Sequence, residues 1–240
     1  MMTAVPNILA VSGIDSRSTC LMPRMKRAAD FAKCVQRMEI ATLRPTQMTV
    51  GFREVEEKQR RIRAAIAAGR RTELTRRIIP VVIGPGSLVY ALDRHHRIYA
   101  LIAEGVSAVE VLLVEDMGKV GIDAFWPTMD KHGWCRPYDN EGRRREYEDL
   151  PHSFANLLDD PFRSLASAVR RAGGFPKDPA LFSEFATADF LRQRIDRQIV
   201  ESDFDLAVMQ SLHLISEDKM GSHSTRHGTS FEPAATAAET

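Results

Sequence analysis

The sequence is poor in cysteine, has no long apolar run and carries no excess of charge of one sign. Its three cysteines, Cys20, Cys34 and Cys135, are too few and too scattered for a disulfide framework or a four-thiolate zinc site. No apolar run approaches the roughly 20 residues that span a bilayer. The first basic residue is Arg17, which argues against a secretory signal. These features predict a cytoplasmic protein without a membrane segment.

The charge balance excludes one class of function. The chain has 33 Lys and Arg against 32 Asp and Glu, a formal net charge of +1. A protein that coats duplex DNA normally has a clear basic excess, so only local basic patches are left open. The 240 residues are 44% hydrophobic and 27% charged, which is ordinary for a globular protein and suffices for one large domain or two small ones.

Residues 38–116 alternate strand and helix signals. Apolar, β-branched runs predict strands at 39–43, 78–83, 88–92 and 109–114, and the turn at 84–87 makes the middle two a hairpin. Helices are predicted at 52–68 and from Asp93 to Glu104, ended by Gly69 and Gly105. The order strand, helix, hairpin, helix, strand predicts an α+β core around a small mixed sheet with flanking helices.

The segments on either side of this core are predicted from weaker patterns. Residues 1–37 form an N-terminal extension, with a helix over 23–38. Residues 117–215 form an all-helical C-terminal domain, with helices near 117–131, 143–158, 161–171, 181–198 and 204–214. The composition of residues 216–240 predicts a disordered tail.

A polar cluster stands where the second hairpin strand enters a helix: Asp93, His95, His96 and Arg97. The free N–H groups and positive dipole of a helix start suit a phosphate or carboxylate. The histidines add proton transfer, the arginine adds charge, and Asp93 could orient a histidine or hold magnesium. The alternative is that Asp93 only caps the helix and the histidines fill surface and groove positions, since a short polar cluster is a weak signal.

A second candidate loop joins the first strand to the first long helix and contains Arg44, Gln47 and Gly51. Gly51 could let the backbone approach a ligand closely. The alternative is a turn fixed by Pro45 with a helix cap supplied by Thr49.

Taken together, the two loops resemble the ParB/sulfiredoxin superfamily. More narrowly, the chain is similar to the ParB-like nuclease family over about residues 38–198. The likeness includes the segments Trp134–Tyr138, Asp160–Ala166, Ala172–Gly174 and Glu184–Phe190. The resemblance implies an α+β core whose ligand site is built from the two loops. The superfamily hosts several chemistries: segregation proteins that hydrolyse CTP, sulfiredoxins that use ATP, and free serine kinases.

Departures from these relatives limit what the resemblance implies. His95 stands where sulfiredoxins have their nucleophilic cysteine. The serine kinases have Asp-Gly-His-His-Arg, which matches here except at Arg94, and they have a catalytic glutamate where this chain has Gln47. An amide cannot act as a carboxylate base, although Glu54 lies near enough in sequence to substitute. Neither a helix-turn-helix domain nor a dimerisation tail of the segregation proteins is evident.

A metal-dependent nuclease needs two or three convergent carboxylates. Asp93 is one, and the second half offers Asp159, Asp160, Glu184 and Asp189. The plainer interpretation is a helix cap for Asp160, and a solvated helix position or an ion-pair partner of Arg163 for Glu184 and Asp189. Zinc is disfavoured because the adjacent histidines and Cys135 lack partners at the usual ligand spacing, and no metal ligand set is assigned.

The function expected from the resemblance and the two loops is binding of a nucleotide or phosphorylated small molecule, followed by phosphoryl transfer or phosphodiester hydrolysis. Asp93, His95 and His96 are the expected catalytic residues, and Arg44, Gln47, Gly51 and Arg97 the expected ligand-binding residues. ATP, ADP or CTP with magnesium are the candidate cofactors, and nucleic acid remains open as a partner. The alternative is a chromosome-partitioning-like module that binds DNA or a partner without catalysis.

Overall fold

The computed structural model describes residues 35–174 and 183–224. The strands are β1 Val35–Glu39, β2 Leu43–Pro45, β3 Thr49–Val50, β4 Ile79–Ile83, β5 Val89–Ala91, β6 Ala108–Asp116 and β7 Leu158–Asp159. Five of them form a mixed sheet in the order β1-β6-β4-β5-β2, and β3 pairs with β7. Strands β4 and β5 are antiparallel, as the predicted hairpin requires, so the predicted α+β class with a small mixed sheet is confirmed.

The described residues also contain eight α-helices. They are α1 Phe52–Ala67, α2 Arg71–Thr75, α3 His95–Ala103, α4 Ile122–Lys131, α5 Pro161–Arg171, α6 Ser183–Arg192, α7 Arg197–Ser202 and α8 Phe204–Ser224. None of the helices in this part of the chain is both long and apolar enough to cross a membrane.

Helices α1 and α3 cover one face of the sheet and α4 covers the other. Val55 and Ile98 belong to a core shared with Val89 and Ala91 of β5. Tyr90 lies between those two strand residues and faces the opposite side, where its ring contacts Phe125 and Trp126 of α4 at centroid distances of 5.1 and 5.2 Å. A third core, which includes Phe162, Leu165, Leu191 and Val200, joins α5 to the helices that follow.

The predicted helix at 143–158 is wrong. The segment forms two short 3-10 turns, Tyr147–Asp149 and Phe154–Asn156, and ends in β7. Pro151 explains the break, because proline cannot donate its N–H and forces the preceding residue out of helical geometry; Leu150 is indeed extended, with ψ 130°. The segment 117–215, predicted to be all-helical, also contains strand β7, which pairs in parallel with β3.

Other boundaries differ because of tertiary contacts. The predicted helix at 23–38 ends in a strand instead, since β1 pairs antiparallel with β6; residues 23–34 lie outside the described residues. The predicted strand at 39–43 is interrupted by a 3-10 turn over Ile40–Thr42. The helix predicted from 117 begins at Ile122.

The last two predicted helices also differ. The helix predicted at 181–198 is two helices, because Asp196 caps α7 by accepting the Gln198 N–H at 2.8 Å; residues 181–182 are outside the described part. The helix predicted at 204–214 continues to Ser224, into the predicted tail. The remainder of that tail, 225–240, is likewise outside the described residues.

Candidate active site

The two adjacent histidines at the start of α3 hold the loop that follows β2. His95 Nε2 accepts the Thr46 N–H at 3.0 Å, and His96 Nε2 accepts the Gly51 N–H at 2.9 Å. A ring nitrogen that accepts a hydrogen bond carries no proton, so these bonds require neutral rings protonated at Nδ1. The two loops singled out in the sequence are therefore joined through two backbone-to-imidazole bonds.

Both imidazoles are buried, and burial sets their protonation. Burial is the largest cause that lowers the pKa of each ring, well below 6.5 for His95 and to about 3 for His96. For His96 the attraction of Glu54 opposes burial and does not overcome it. Both histidines are therefore neutral at neutral pH, in agreement with the hydrogen bonds that their Nε2 atoms accept.

A cavity of about 490 Å³ lies against α1 and the start of α3, within the usual range for small-molecule sites. Six basic side chains line it: Lys58, Arg61, Arg77, Arg94, Arg97 and Arg170. Three acidic side chains line it: Glu54, Asp93 and Glu184. The walls thus carry more positive than negative charge although the whole chain is nearly neutral.

Three of the arginines are not neutralised by acidic partners. Among the described residues, no carboxylate forms an ion pair with Arg77, Arg94 or Arg97. Burial, and then repulsion from the other two arginines, lowers the pKa of Arg97. Its guanidinium donates to the Leu74 carbonyl at 2.6 Å, which holds it in place. This unneutralised group favours an anionic ligand.

The backbone at Arg94 is strained. Its φ of 67° and ψ of 25° place it in the left-handed region, which residues with a Cβ rarely adopt. Asp93, which is exposed, accepts the Arg94 N–H at 2.6 Å. The helix cap is thus Arg94 rather than the expected Asp93, and strain of this kind is typical of functional sites.

Glu54, His96 and Glu184 meet at one end of the cavity. Lys58 pairs with Glu54 Oε1, while Glu54 Oε2 lies 3.5 Å from His96 Nε2 and has no hydrogen-bond partner. Burial acts to raise the pKa of Glu54, but the charge and hydrogen bond of Lys58 and the charge of Arg163 act against burial, and the pKa lies below its usual value. A charged carboxylate oxygen with no partner therefore faces a neutral imidazole nitrogen.

Only part of the predicted site reaches this cavity. Asp93, His96 and Arg97 line it. His95 lies in the core, with its ring centroid 5.4 Å from that of Phe154. Gly51 is the N-cap of α1 and donates its N–H to His96. His95 and Gly51 therefore position the site rather than line it.

The other two predicted ligand-binding residues are engaged elsewhere. Gln47 is buried and donates to the Thr49 carbonyl at 2.7 Å, so it does not line the cavity. Arg44 is paired in register with Tyr90, on the sheet face that packs against α4. Arg44, Gln47 and Gly51 were expected to bind the ligand, but residues of α1 line the cavity instead.

Most of the candidate carboxylates have structural partners. Asp159 Oδ1 accepts the Phe52 N–H at 2.7 Å, and α1 begins without the side-chain cap expected from Thr49. Asp160 caps α5 and pairs with Arg192 at 2.5 Å. Asp189 pairs with Arg136. Of the four carboxylates from the second half, Glu184 is the one that lines the cavity.

Several lining residues were missed by reasoning from the sequence. Glu54, Lys58 and Arg61 follow one another at spacings of four and three, which places them on one face of α1. That periodicity was available, but it is equally typical of a solvated helix face. Arg77 and Arg170 have no such signal, because they come from distant segments.

The fold and the site define the class. The α+β core with its small mixed sheet is the core that the ParB/sulfiredoxin resemblance implies. The family model described as "Putative ParB-like nuclease" matches residues 36–193, which is most of the chain. The protein belongs to the ParB-like nuclease family.

The chain is also similar to a solved protein structure. The crystal structure of protein Atu1540 from Agrobacterium tumefaciens is similar, with 44% sequence identity and a TM-score of 0.69. The similarity covers 75% of this chain and 90% of that one. A search of the curated proteins finds no match.

Proposed function

We propose that the cavity binds a nucleotide or another phosphate-bearing small molecule and catalyses phosphoryl transfer or phosphodiester hydrolysis. The observation that carries the proposal is the set of six basic side chains around a cavity of about 490 Å³, of which Arg77, Arg94 and Arg97 have no carboxylate partner among the described residues. The volume of the cavity suits a nucleotide-sized ligand rather than a nucleic-acid duplex.

The residues divide into an anion-binding wall and a reactive end. Arg77, Arg94 and Arg97 would neutralise phosphate oxygens and the charge that develops in the transition state. Glu54 Oε2 would either accept the proton of the attacking hydroxyl group or hold a cation that activates it. His96 lies beside Glu54 at this end, and Asp93 at the rim would orient the ligand.

A thermal-shift screen tests the proposal. The ligands are inorganic phosphate, ATP, ADP, CTP and GTP, each with and without magnesium. A ligand at a hundred times its Kd stabilises the native state by about 2.7 kcal/mol, which raises the Tm by about 5–10 °C for a chain of this size. Arg77→Ala should reduce this shift. Arg76→Ala is the matched control, because Arg76 is also exposed but does not line the cavity.

Turnover of the ligand that binds is then measured by phosphate release, by transfer to L-serine and by cleavage of single-stranded and duplex oligonucleotides. Absence of a shift with every ligand, or a shift unchanged by Arg77→Ala, would refute the site. Binding without turnover would favour the alternative, a non-catalytic binding module. That alternative is supported by Gln47, which replaces the kinase glutamate and is used internally by its bond to Thr49.

A further inference from the structure

Two hydrogen-bond acceptors face each other at the reactive end of the cavity. His96 Nε2 already accepts the Gly51 N–H, so it has no proton to donate to Glu54 Oε2, which lies 3.5 Å away. The Glu54 side chain is only 7% exposed, and its Oε2 atom has no hydrogen-bond partner. A buried, charged oxygen in this position requires a donor or a cation to satisfy it.

A third acidic group completes the arrangement. Among the described residues, Glu54, His96 and Glu184 form a group whose ligand atoms all lie within 4.8 Å of one another. Ligands around a tetrahedral ion at about 2.1 Å are about 3.4 Å apart. Side-chain movements of about 1 Å would therefore bring the three groups to coordination distance.

The two carboxylates are held in matching ways. Lys58 pairs with Oε1 of Glu54, and Arg170 pairs with Oε1 of Glu184. Among the described residues, the Arg163 guanidinium lies 3.9 Å from Oε2 of Glu184, beyond hydrogen-bond distance. Each basic partner thus orients one carboxylate and leaves its second oxygen available, which is how outer residues commonly position metal ligands.

We propose that Glu54, His96 and Glu184 bind a divalent first-row transition-metal ion such as Mn²⁺ or Zn²⁺. One imidazole nitrogen with two carboxylates suits these ions better than Mg²⁺, which prefers oxygen ligands alone. The inference rests on the proposed function only for its use: an ion at the reactive end would activate the attacking water or hydroxyl group.

The Gly51 amide supplies a specific signature of binding. His96 Nε2 has a single lone pair in the ring plane, so it cannot coordinate an ion and accept the Gly51 N–H at the same time. Binding of Zn²⁺ must therefore release this hydrogen bond. In ¹H–¹⁵N spectra of the labelled protein, the Gly51 amide resonance should shift on addition of Zn²⁺.

The test measures Mn²⁺ binding to the full chain by the loss of the free-ion electron paramagnetic resonance signal, with and without inorganic phosphate. The basic surroundings should make phosphate strengthen Mn²⁺ binding, and by linkage Mn²⁺ should strengthen phosphate binding by the same factor, typically about 5- to 150-fold. Glu54→Gln and Glu184→Gln should each abolish binding. Glu57→Gln is the matched control, because Glu57 is on the same helix and has both oxygens paired, with Arg61 and Arg171.

The outcomes separate this inference from the proposed function. Mn²⁺ binding that is absent under both conditions, or that survives Glu54→Gln and Glu184→Gln, would overturn the metal site, as would an unshifted Gly51 amide at saturating Zn²⁺. Stabilisation by phosphate in the presence of a chelator tests anion binding alone. If that stabilisation persists while Mn²⁺ does not bind, the metal inference fails and the proposed function stands.

Discussion

The left-handed backbone at Arg94 allows charge and strain to be separated experimentally. Replacement of Arg94 by glycine or by alanine removes the same guanidinium from the cavity. Glycine adopts a φ of 67° freely, whereas alanine keeps the Cβ that disfavours it. The two variants should therefore bind anions alike and differ in stability.

The expected difference follows from the backbone alone. A residue with a Cβ is destabilised by about 1–2 kcal/mol in the left-handed region. Glycine avoids this strain but lowers stability by up to about 1 kcal/mol, because its unfolded chain has greater conformational entropy. Arg94→Gly should thus be more stable than Arg94→Ala by about 1 kcal/mol. For a chain of this length that corresponds to about 2–4 °C in Tm.

Urea unfolding and phosphate titration measure the two effects separately. Both variants should bind phosphate about tenfold more weakly than the wild type, equivalent to about 1.4 kcal/mol. Equal stability of the two variants would refute the strain at Arg94. Unchanged phosphate affinity in both would refute the role of its charge.

Three further perturbations test the framework of the site. Gly51→Ala would place a Cβ 2.6 Å from the Ser164 backbone nitrogen and should destabilise the fold by about 1–3 kcal/mol or more, as measured by urea unfolding. Gly121→Ala is the control, because a Cβ there meets open space and should have little effect on the unfolding free energy. Burial lowers the pKa of His95, so its contribution to stability is complete above pH 6.5 and is lost as the pH falls below that value. His95→Gln should therefore reduce the slope of the unfolding free energy against pH, between pH 6 and 5, by about 1.4 kcal/mol per pH unit. An unchanged slope would contradict the burial of His95 as a neutral group. Asp159→Ala removes the side chain that accepts the first N–H of α1 and should cost about 1 kcal/mol; a thermal melt identical to that of the wild type would show that water replaces the cap.

Sequence reasoning was most successful where local signals agree with the tertiary environment. The hairpin of β4 and β5 is predicted correctly because its β-branched runs flank a glycine and proline turn. Helix α1 is predicted correctly because its apolar residues recur on one face. The helix expected at 143–158 fails because an apparently helical composition contains Pro151, whose effect on the backbone outweighs propensity.

At the candidate site, too, some of the predicted residues lie along the cavity and others do not. Asp93, His96 and Arg97 were predicted because helix starts, histidines and arginines have recognisable anion chemistry, and the structure places them along the cavity. His95 has the same residue type and the adjacent position, yet it lies in the core. Successive helix positions differ by about 100° around the axis, and only packing decides which of two neighbours faces the cavity.

The sequence by itself determined the fold class, the family resemblance and the strand-to-helix turn at residues 92–97, because these depend on periodicity and on short contiguous motifs. Only the tertiary structure decided that Lys58, Arg77 and Arg170 surround the cavity and that Glu184 joins Glu54 and His96 at its end. These residues are separated by tens of positions along the chain. Glu184 acts together with Glu54 and His96 only because the packing of α5 and α6 against the α+β core brings their ligand atoms within 4.8 Å of one another, where electrostatic interactions are strong.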